Sequence, residues 1–345
     1  MKGQYVTLKD VAERAGTTAA TVSYVLNGSG KRYISDEMRQ RVEQAASELG
    51  YVKSSAASSL KGKKRKIIAV LVPQFANQFF TNLVLGVEEV ADRYGYILSI
   101  CNTFDDPERE REIINRTQSQ RVDGYIITPS REGEKTTRPI RKVGVPMVIV
   151  DRKLDSSEKY FFVSAQNYES TALGVEHLLK KGHRKIIFIG WNADFGGLEL
   201  RERAYRDLLK KYQVPEADAL VYNGEFTEES GRELTKKALK KHPEATAVFY
   251  AYNIQARGGV NELIRLGIEP GKDISVLIVG APDWVQTGKN RMTCVSLHGR
   301  QIGLTGAEIL FDVLNGGENT IEPYSREVPA ELIEGDSVID LNNRG

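Results

Sequence analysis

The sequence predicts an all-α helix-turn-helix headpiece followed by an α/β core of two doubly wound, parallel-sheet subdomains. Three observations predict it. Apolar residues recur at helical spacing through the first 50 residues, a Ser- and Lys-rich stretch follows at 53–65, and from Lys66 onward short apolar runs alternate with amphipathic helical segments. The expected boundaries are 1–52 for the headpiece, 53–65 for a linker and 66–345 for the core. Within the core, one subdomain takes about 66–163 and 296–327, and the other about 164–295 and 328–345.

In the headpiece, Leu8, Val11, Ala12 and Ala15 line one helical face, and Val22, Val25 and Leu26 line a second after Gly16. Thr7 and Thr18 are suited to cap the two helices, and glycine supplies the positive φ of a tight corner. A helix-turn-helix lays its second helix in the DNA major groove; an αα-corner inside a larger helical domain is the plain alternative. The loop Gly28–Ile34 contains Gly-Ser-Gly-Lys but lacks the full spacing of a phosphate loop. A third helix starts at a Ser35 cap, carries Met38, Val42, Ala45, Ala46 and Leu49 on one face, and stops at Gly50. The stretch 53–65 reads as a tether whose only large apolar residue is Leu60.

The core's apolar runs are Ile67–Val72, Ile97–Cys101, Gly124–Thr128, Met147–Val150, Ile186–Gly190, Ala247–Tyr250 and Ile274–Val279. Continuous apolar strands between helices indicate parallel sheets covered on both faces, and ligands in such folds bind at strand carboxyl ends. Net charge is +2, yet residues 1–66 hold 13 Lys+Arg against 6 Asp+Glu, a surplus of seven on a mildly acidic remainder. That asymmetry suits phosphate-backbone binding by the headpiece. The two cysteines, Cys101 and Cys294, sit among apolar neighbours and are expected to be buried free thiols. With no membrane-length apolar stretch and no apolar leader at the N-terminus, the expectation is a cytoplasmic protein without a membrane partner.

Several blocks follow one another in a recognisable order. They are Thr7–Asn27, Leu49–Tyr51, Val72–Phe80, Asp106–Arg111 with Arg121–Gly124, His177–Ile189, Ala247–Asn253, Gly280–Asp283 and Val328–Leu332. Across some 340 residues the chain resembles the lac repressor (LacI/GalR) family of bacterial transcription regulators. The resemblance implies a core fold like that of periplasmic sugar-binding proteins. It also implies a homodimer that reads a palindromic operator in double-stranded DNA, and the end of the chain, Asp336–Gly345, has no heptad helix to build a tetramer.

By that resemblance Ala19, Ala20 and Tyr24 meet base edges, Thr18, Thr21, Ser23 and Asn27 contact the backbone, and Thr7 is a further DNA-binding residue. Tyr24 stands where the family commonly has Arg, so the outer half-site preference should differ. Lys31, Arg32 and Tyr33, in a loop that is long for the family, are further DNA contacts. The linker matches a hinge helix that orders on operator DNA, with Leu60 as minor-groove wedge and Ser54 and Ala57 beside it. Lys53, Ser54 and Ser58 depart from the usual hinge pattern.

The resemblance also assigns a small-molecule effector (sugar, sugar phosphate or other small metabolite) to the cleft between the subdomains. The matching positions are Phe79, Phe80, Asp151, Arg201, Asn253 and Asp283, with Trp191 as a further stacking face. The usual Asn-Asp is Tyr252-Asn253 here, and the usual Phe-Asp-Asp is Ala281-Pro282-Asp283. Lost carboxylates disfavour a neutral sugar held in the usual manner and favour an anion gripped by Arg201; a protein partner, or no signal at all, stays open. No metal or cofactor is expected. The rival classes are a transporter's solute-binding module, which would lack a basic headpiece, and an enzyme. Against the enzyme, no nucleophile elbow, metal-spaced cluster or Gly-x-Gly-x-x-Gly is present, and His177, His183, His242 and His298 are scattered.

Overall fold

The computed structural model describes residues 6–27, 33–52, 64–192, 195–287, 291–316 and 322–343. It divides into two compact units, Met1–Arg65 and Lys66–Gly345.

The first unit holds α1 (Leu8–Ala15), α2 (Ala19–Asn27) and α3 (Asp36–Leu49). A capping box starts α1: the Thr7 side chain accepts from the Asp10 N–H, and the Asp10 carboxylate accepts from the Thr7 N–H at 2.7 Å. Gly16 turns the corner at φ 62°. Arg41 of α3 donates to the Ala15 carbonyl at 2.6 Å, so an orphan acceptor at the end of α1 is satisfied from across the bundle. Val11, Ala12, Ala15, Val22, Val25, Val42, Ala45 and Ala46 form the buried core of this unit.

The second unit is built on two six-stranded sheets. The N-lobe sheet contains β1 (Ile67–Val72), β2 (Ile97–Asn102), β3 (Gly124–Ile127), β4 (Met147–Val150), β5 (Phe161–Ala165) and β11 (Ser325–Val328), in the order β11-β5-β4-β3-β1-β2. The C-lobe sheet contains β6 (Ile186–Trp191), β7 (Leu220–Gly224), β8 (Ala247–Tyr250), β9 (Ser275–Val279), β10 (Thr293–Ser296) and β12 (Glu331–Ile333), in the order β12-β10-β9-β8-β6-β7. All neighbouring strands are parallel except β10 and β12. Each sheet therefore points its carboxyl ends, and the loops that follow them, toward one edge of its lobe.

Helices cover both faces of each sheet. In the N-lobe these are α4 (Gln78–Arg93) and α11 (Gly299–Gly316) on one side, and α5 (Pro107–Ser119) and α6 (Gly133–Lys142) on the other. In the C-lobe α7 (Asn167–Lys180) and α8 (Leu200–Lys211) face α9 (Glu228–Lys241) and α10 (Asn253–Arg265) across the sheet. Among the described residues the chain passes between the sheets three times, after Ala165, Ser296 and Val328. Each crossover falls a residue or two beyond the boundary expected from sequence.

Five strands were not marked by apolar runs: β5, β7, β10, β11 and β12. Four of these are short, half-polar or at a sheet edge, and so lack the continuous apolar signal of a strand buried on both faces. Cys294 is buried, but Cys101 on edge strand β2 is only half-buried, which corrects the expectation for it; both thiols are free.

One helix pair in each lobe packs backbone against backbone. A Cβ on Gly86 of α4 would overlap the Arg300 carbonyl, and one on Gly303 of α11 would overlap the Leu83 carbonyl. In the C-lobe, Gly231 of α9 and Gly258 of α10 stand in the same relation to the carbonyls of Gln255 and Glu228. Alanine normally stabilises a helix by about 1 kcal/mol over glycine. Gly258→Ala is expected to reverse that sign and cost about 1–3 kcal/mol through overpacking, read from the urea unfolding midpoint.

Candidate functional site: an exposed helix face and an inter-lobe cleft

In the headpiece the second helix is fixed by local chemistry. Thr18 Oγ1 accepts from the Thr21 N–H at 3.2 Å and lies 3.0 Å from the Thr21 hydroxyl, so it caps α2 as its residue type demands. Ala20 is exposed and Tyr24, one turn on, is 39% exposed, which leaves one face of α2 open. Thr7 and Thr18 are exposed, Thr21 and Ser23 are half-buried, and Tyr33 is fully open at 93% exposure. Ala19 is half-buried and packs in part against the headpiece core. Lys31, Arg32, Ser54, Ala57, Leu60 and the Asn27 side chain lie outside the described residues.

In the core, loops from both lobes line a half-open cavity of about 240 Å³. Asp151 follows β4 at φ 68°, a left-handed backbone that Asp tolerates better than most residues. It is 7% exposed, and among the described residues no group donates a hydrogen bond to its carboxylate; the Arg152 Nε stands 3.8 Å away. Burial pushes the Asp151 carboxyl above the usual range, against the opposing pull of Arg152 and Arg201. Arg201 reaches the cavity from α8. Its Nε donates to Asn167 Oδ1 at 2.9 Å, its Nη1 donates to the Ala251 carbonyl, and its plane lies 4.4 Å over the Tyr252 ring. Arg201 and Asp151 line one cavity without forming an ion pair.

Arg152 ties the lobes together. From the N-lobe side, its Nη1 donates to Asp105 Oδ1 at 2.5 Å and to the Pro129 carbonyl at 3.3 Å. Its guanidinium also lies 5.4 Å from the Trp191 ring and 5.5 Å from the Phe195 ring, both supplied by the C-lobe. Around it the lobes join directly. Asn253 Nδ2 donates to Asn77 Oδ1 at 3.0 Å, the Asp283 N–H donates to Gln78 Oε1 at 2.7 Å, and the Lys153 N–H donates to the Gly196 carbonyl at 3.2 Å. Trp191, Phe226 and Tyr252 form an aromatic wall, with Trp191 and Phe226 centroids 4.8 Å apart.

The structure thus brings together Phe79, Asp151, Trp191, Arg201 and Asn253. Phe80 borders the cavity but is only 3% exposed and belongs to the N-lobe core. Asp283 corrects the expectation outright: it starts a 3₁₀ turn with its side chain exposed, and contributes its backbone N–H to Gln78 instead. Sequence reasoning missed Asn77, Gln78, Arg152, Phe226 and the ring of Tyr252. Asn77 carried a usable signal, an N-cap residue opening α4 just after β1, whereas Phe226 carried none.

A helix-turn-helix unit with an open second helix, in one chain with a two-lobed core enclosing a polar cavity, defines a DNA-binding regulator that answers to a small ligand. The description of bacterial regulatory proteins of the lacI family matches residues 7–54, and that of a periplasmic binding protein-like domain matches residues 175–338. The ribose operon repressor of Halalkalibacterium halodurans is 30% identical over 330 residues, 95% of each chain. The transcriptional repressor PurR of Vibrio atlanticus is 28% identical over 337 residues, spanning 97% of this chain and 99% of the relative. The solved lac repressor dimer bound to operator and the anti-inducer ONPF shares the fold at a TM-score of 0.81 and 24% identity, over 97% of this chain and 100% of that one. The chain belongs to the lacI family of bacterial regulatory proteins.

A carboxyl whose folded value lies above its unfolded value opposes folding once ionised, and the opposition grows as pH rises through the interval between the two. Asp151→Asn is therefore expected to raise the melting temperature of the ligand-free protein by a few degrees at pH 7, and by less at pH 4.5, in paired calorimetric scans.

Proposed function

We propose that the protein is a dimeric repressor of carbohydrate or related metabolic genes, released from or held on its operator by a small hydroxylated ligand bound in the cleft. The observation that carries the ligand reading is the pair Asp151 and Arg201. They are opposite charges, buried in one cavity and unpaired with each other, beside a wall of aromatic rings. A neutral polyol satisfies both, giving hydroxyl protons to Asp151 and accepting from the remaining N–H groups of Arg201, with its apolar face on the rings. An anion would meet the Asp151 carboxylate in the same space, so the anion favoured by the sequence is the weaker reading here. An enclosed cavity of about 150 Å³ takes benzene; by that proportion the half-open cavity of about 240 Å³ holds about ten non-hydrogen atoms within its walls, the size of a monosaccharide.

For DNA, Ala20 and Tyr24 are the base-facing residues this reading assigns, with Thr7, Thr18, Thr21 and Ser23 toward phosphates. For the dimer, the N-lobe exposes large apolar side chains at Leu85 (51%), Ile97 (66%), Ile100 (44%) and Phe104 (64%), the last three on or just after edge strand β2, and a second copy is the partner this reading assigns to them. Ligand binding then changes DNA affinity only as far as it binds the closed and open cores differently.

The test is a mobility-shift titration of the full chain on its own promoter region against random duplex, with and without sugars. Tyr24→Ala is expected to lower specific affinity about fivefold or more, in line with the ~1–3 kcal/mol carried by a base contact, and to leave the salt slope unchanged. Equal affinity of the unmodified protein for promoter and random DNA sinks the regulatory reading. A sugar that binds should also raise the melting temperature, and the rise should continue with the logarithm of its concentration above Kd.

A further inference from the structure

The cleft cavity has a neighbour. On its C-lobe side lies an open pocket of about 580 Å³ bordered by Glu202, Arg206 and Asn223. The two spaces share four lining residues, Trp191, Leu198, Arg201 and Tyr252. Tyr252 is the member of this partition that touches the other three. Its ring lies 4.4 Å under the Arg201 guanidinium and 6.0 Å edge-on to Trp191, and its hydroxyl donates to the Leu198 carbonyl at 3.4 Å. Phe226 braces the ring from a further side at 5.5 Å. Tyr252 is also the N-cap residue of α10 but makes no side-chain cap hydrogen bond, so the ring occupies a position where a small polar residue would serve the helix better. Its conformation serves the wall and not the helix.

We infer that Tyr252 is the specificity-determining residue of the cleft: it closes the cavity off from the adjoining pocket and so limits the effector to monosaccharide size. The inference rests on the ligand reading above. A disaccharide has about twice the atoms that the cleft cavity holds within its walls by the benzene proportion, and with the ring removed its second unit has the neighbouring pocket to enter. That pocket presents Glu202, Arg206 and Asn223, side chains able to take sugar hydroxyls as donors or acceptors.

The experiment compares the full-length protein with Tyr252→Asn, Tyr252→Leu and Tyr252→Phe by calorimetric titration and thermal shift, using monosaccharides (ribose, glucose, galactose) and disaccharides (cellobiose, maltose, lactose). Asn keeps a capping side chain at the start of α10, and Leu keeps an apolar residue should Asn fold poorly. The unmodified protein is expected to bind a monosaccharide and no disaccharide. Tyr252→Asn or Tyr252→Leu is expected to bind a disaccharide at least tenfold more tightly than the unmodified protein does, while Tyr252→Phe, which keeps the ring, retains the original selectivity. Disaccharide binding by the unmodified protein overturns the size limit and leaves the ligand reading intact. So does a folded Asn or Leu variant that keeps monosaccharide binding without gaining disaccharides. Failure of every protein to bind any sugar overturns the ligand reading and the inference together.

Discussion

Arg152 is the group on which the arrangement of the cleft depends. A guanidinium that is 2% exposed has given up its hydration, a cost that only good geometry repays. The planar fork allows this where an ammonium would not. Its edge serves the Asp105 carboxylate and the Pro129 carbonyl of the N-lobe, while its face is left for the Trp191 and Phe195 rings of the C-lobe. One side chain therefore has partners in both lobes, and its contacts with the Trp191 and Phe195 rings form only when the lobes stand close. Asp151 precedes it in the chain, so the strand end that fixes the cation also presents to the cavity a carboxylate that only the Arg152 Nε approaches, at 3.8 Å. Closure and ligand recognition share one short segment.

The parts of the molecule that were legible in the sequence are those decided locally. Thr7, Gly16, Thr18, Ser35 and Gly50 sit at helix ends because their own side-chain or backbone preferences favour those positions, and the structure places each there. Strands β1, β4 and β8 were legible because they are buried on nearly every side and so are apolar throughout. β11, Ser-Arg-Glu-Val, exposes three of its four residues and carries no comparable mark.

The cleft was legible only in outline. Arg201 and Asp151 are where the resemblance implies, yet the direction in which a loop side chain points is a tertiary outcome. Asp283 illustrates it: Pro282 before it and the 3₁₀ turn after it rotate the carboxylate to the surface and turn the backbone N–H toward Gln78. Phe226, just past β7, enters the aromatic wall because the sheet edge delivers it there, and no spacing in the sequence encodes that. Tyr252 was visible as a departure from the family pattern; that its ring forms a partition needed the positions of its neighbours.

The three passages between the lobes are very short: residue 166 alone, residues 297–298 and residues 329–330 separate the flanking elements. Mechanically, three such straps side by side form a flexure. A single strap leaves a joint free to twist and slide; three attached at different points of both bodies resist torsion and shear and stay compliant in one bending direction. The lobes are thereby reduced to nearly one degree of freedom. Work done by a ligand in the cleft is then not dispersed among many relative motions but delivered along a single opening angle.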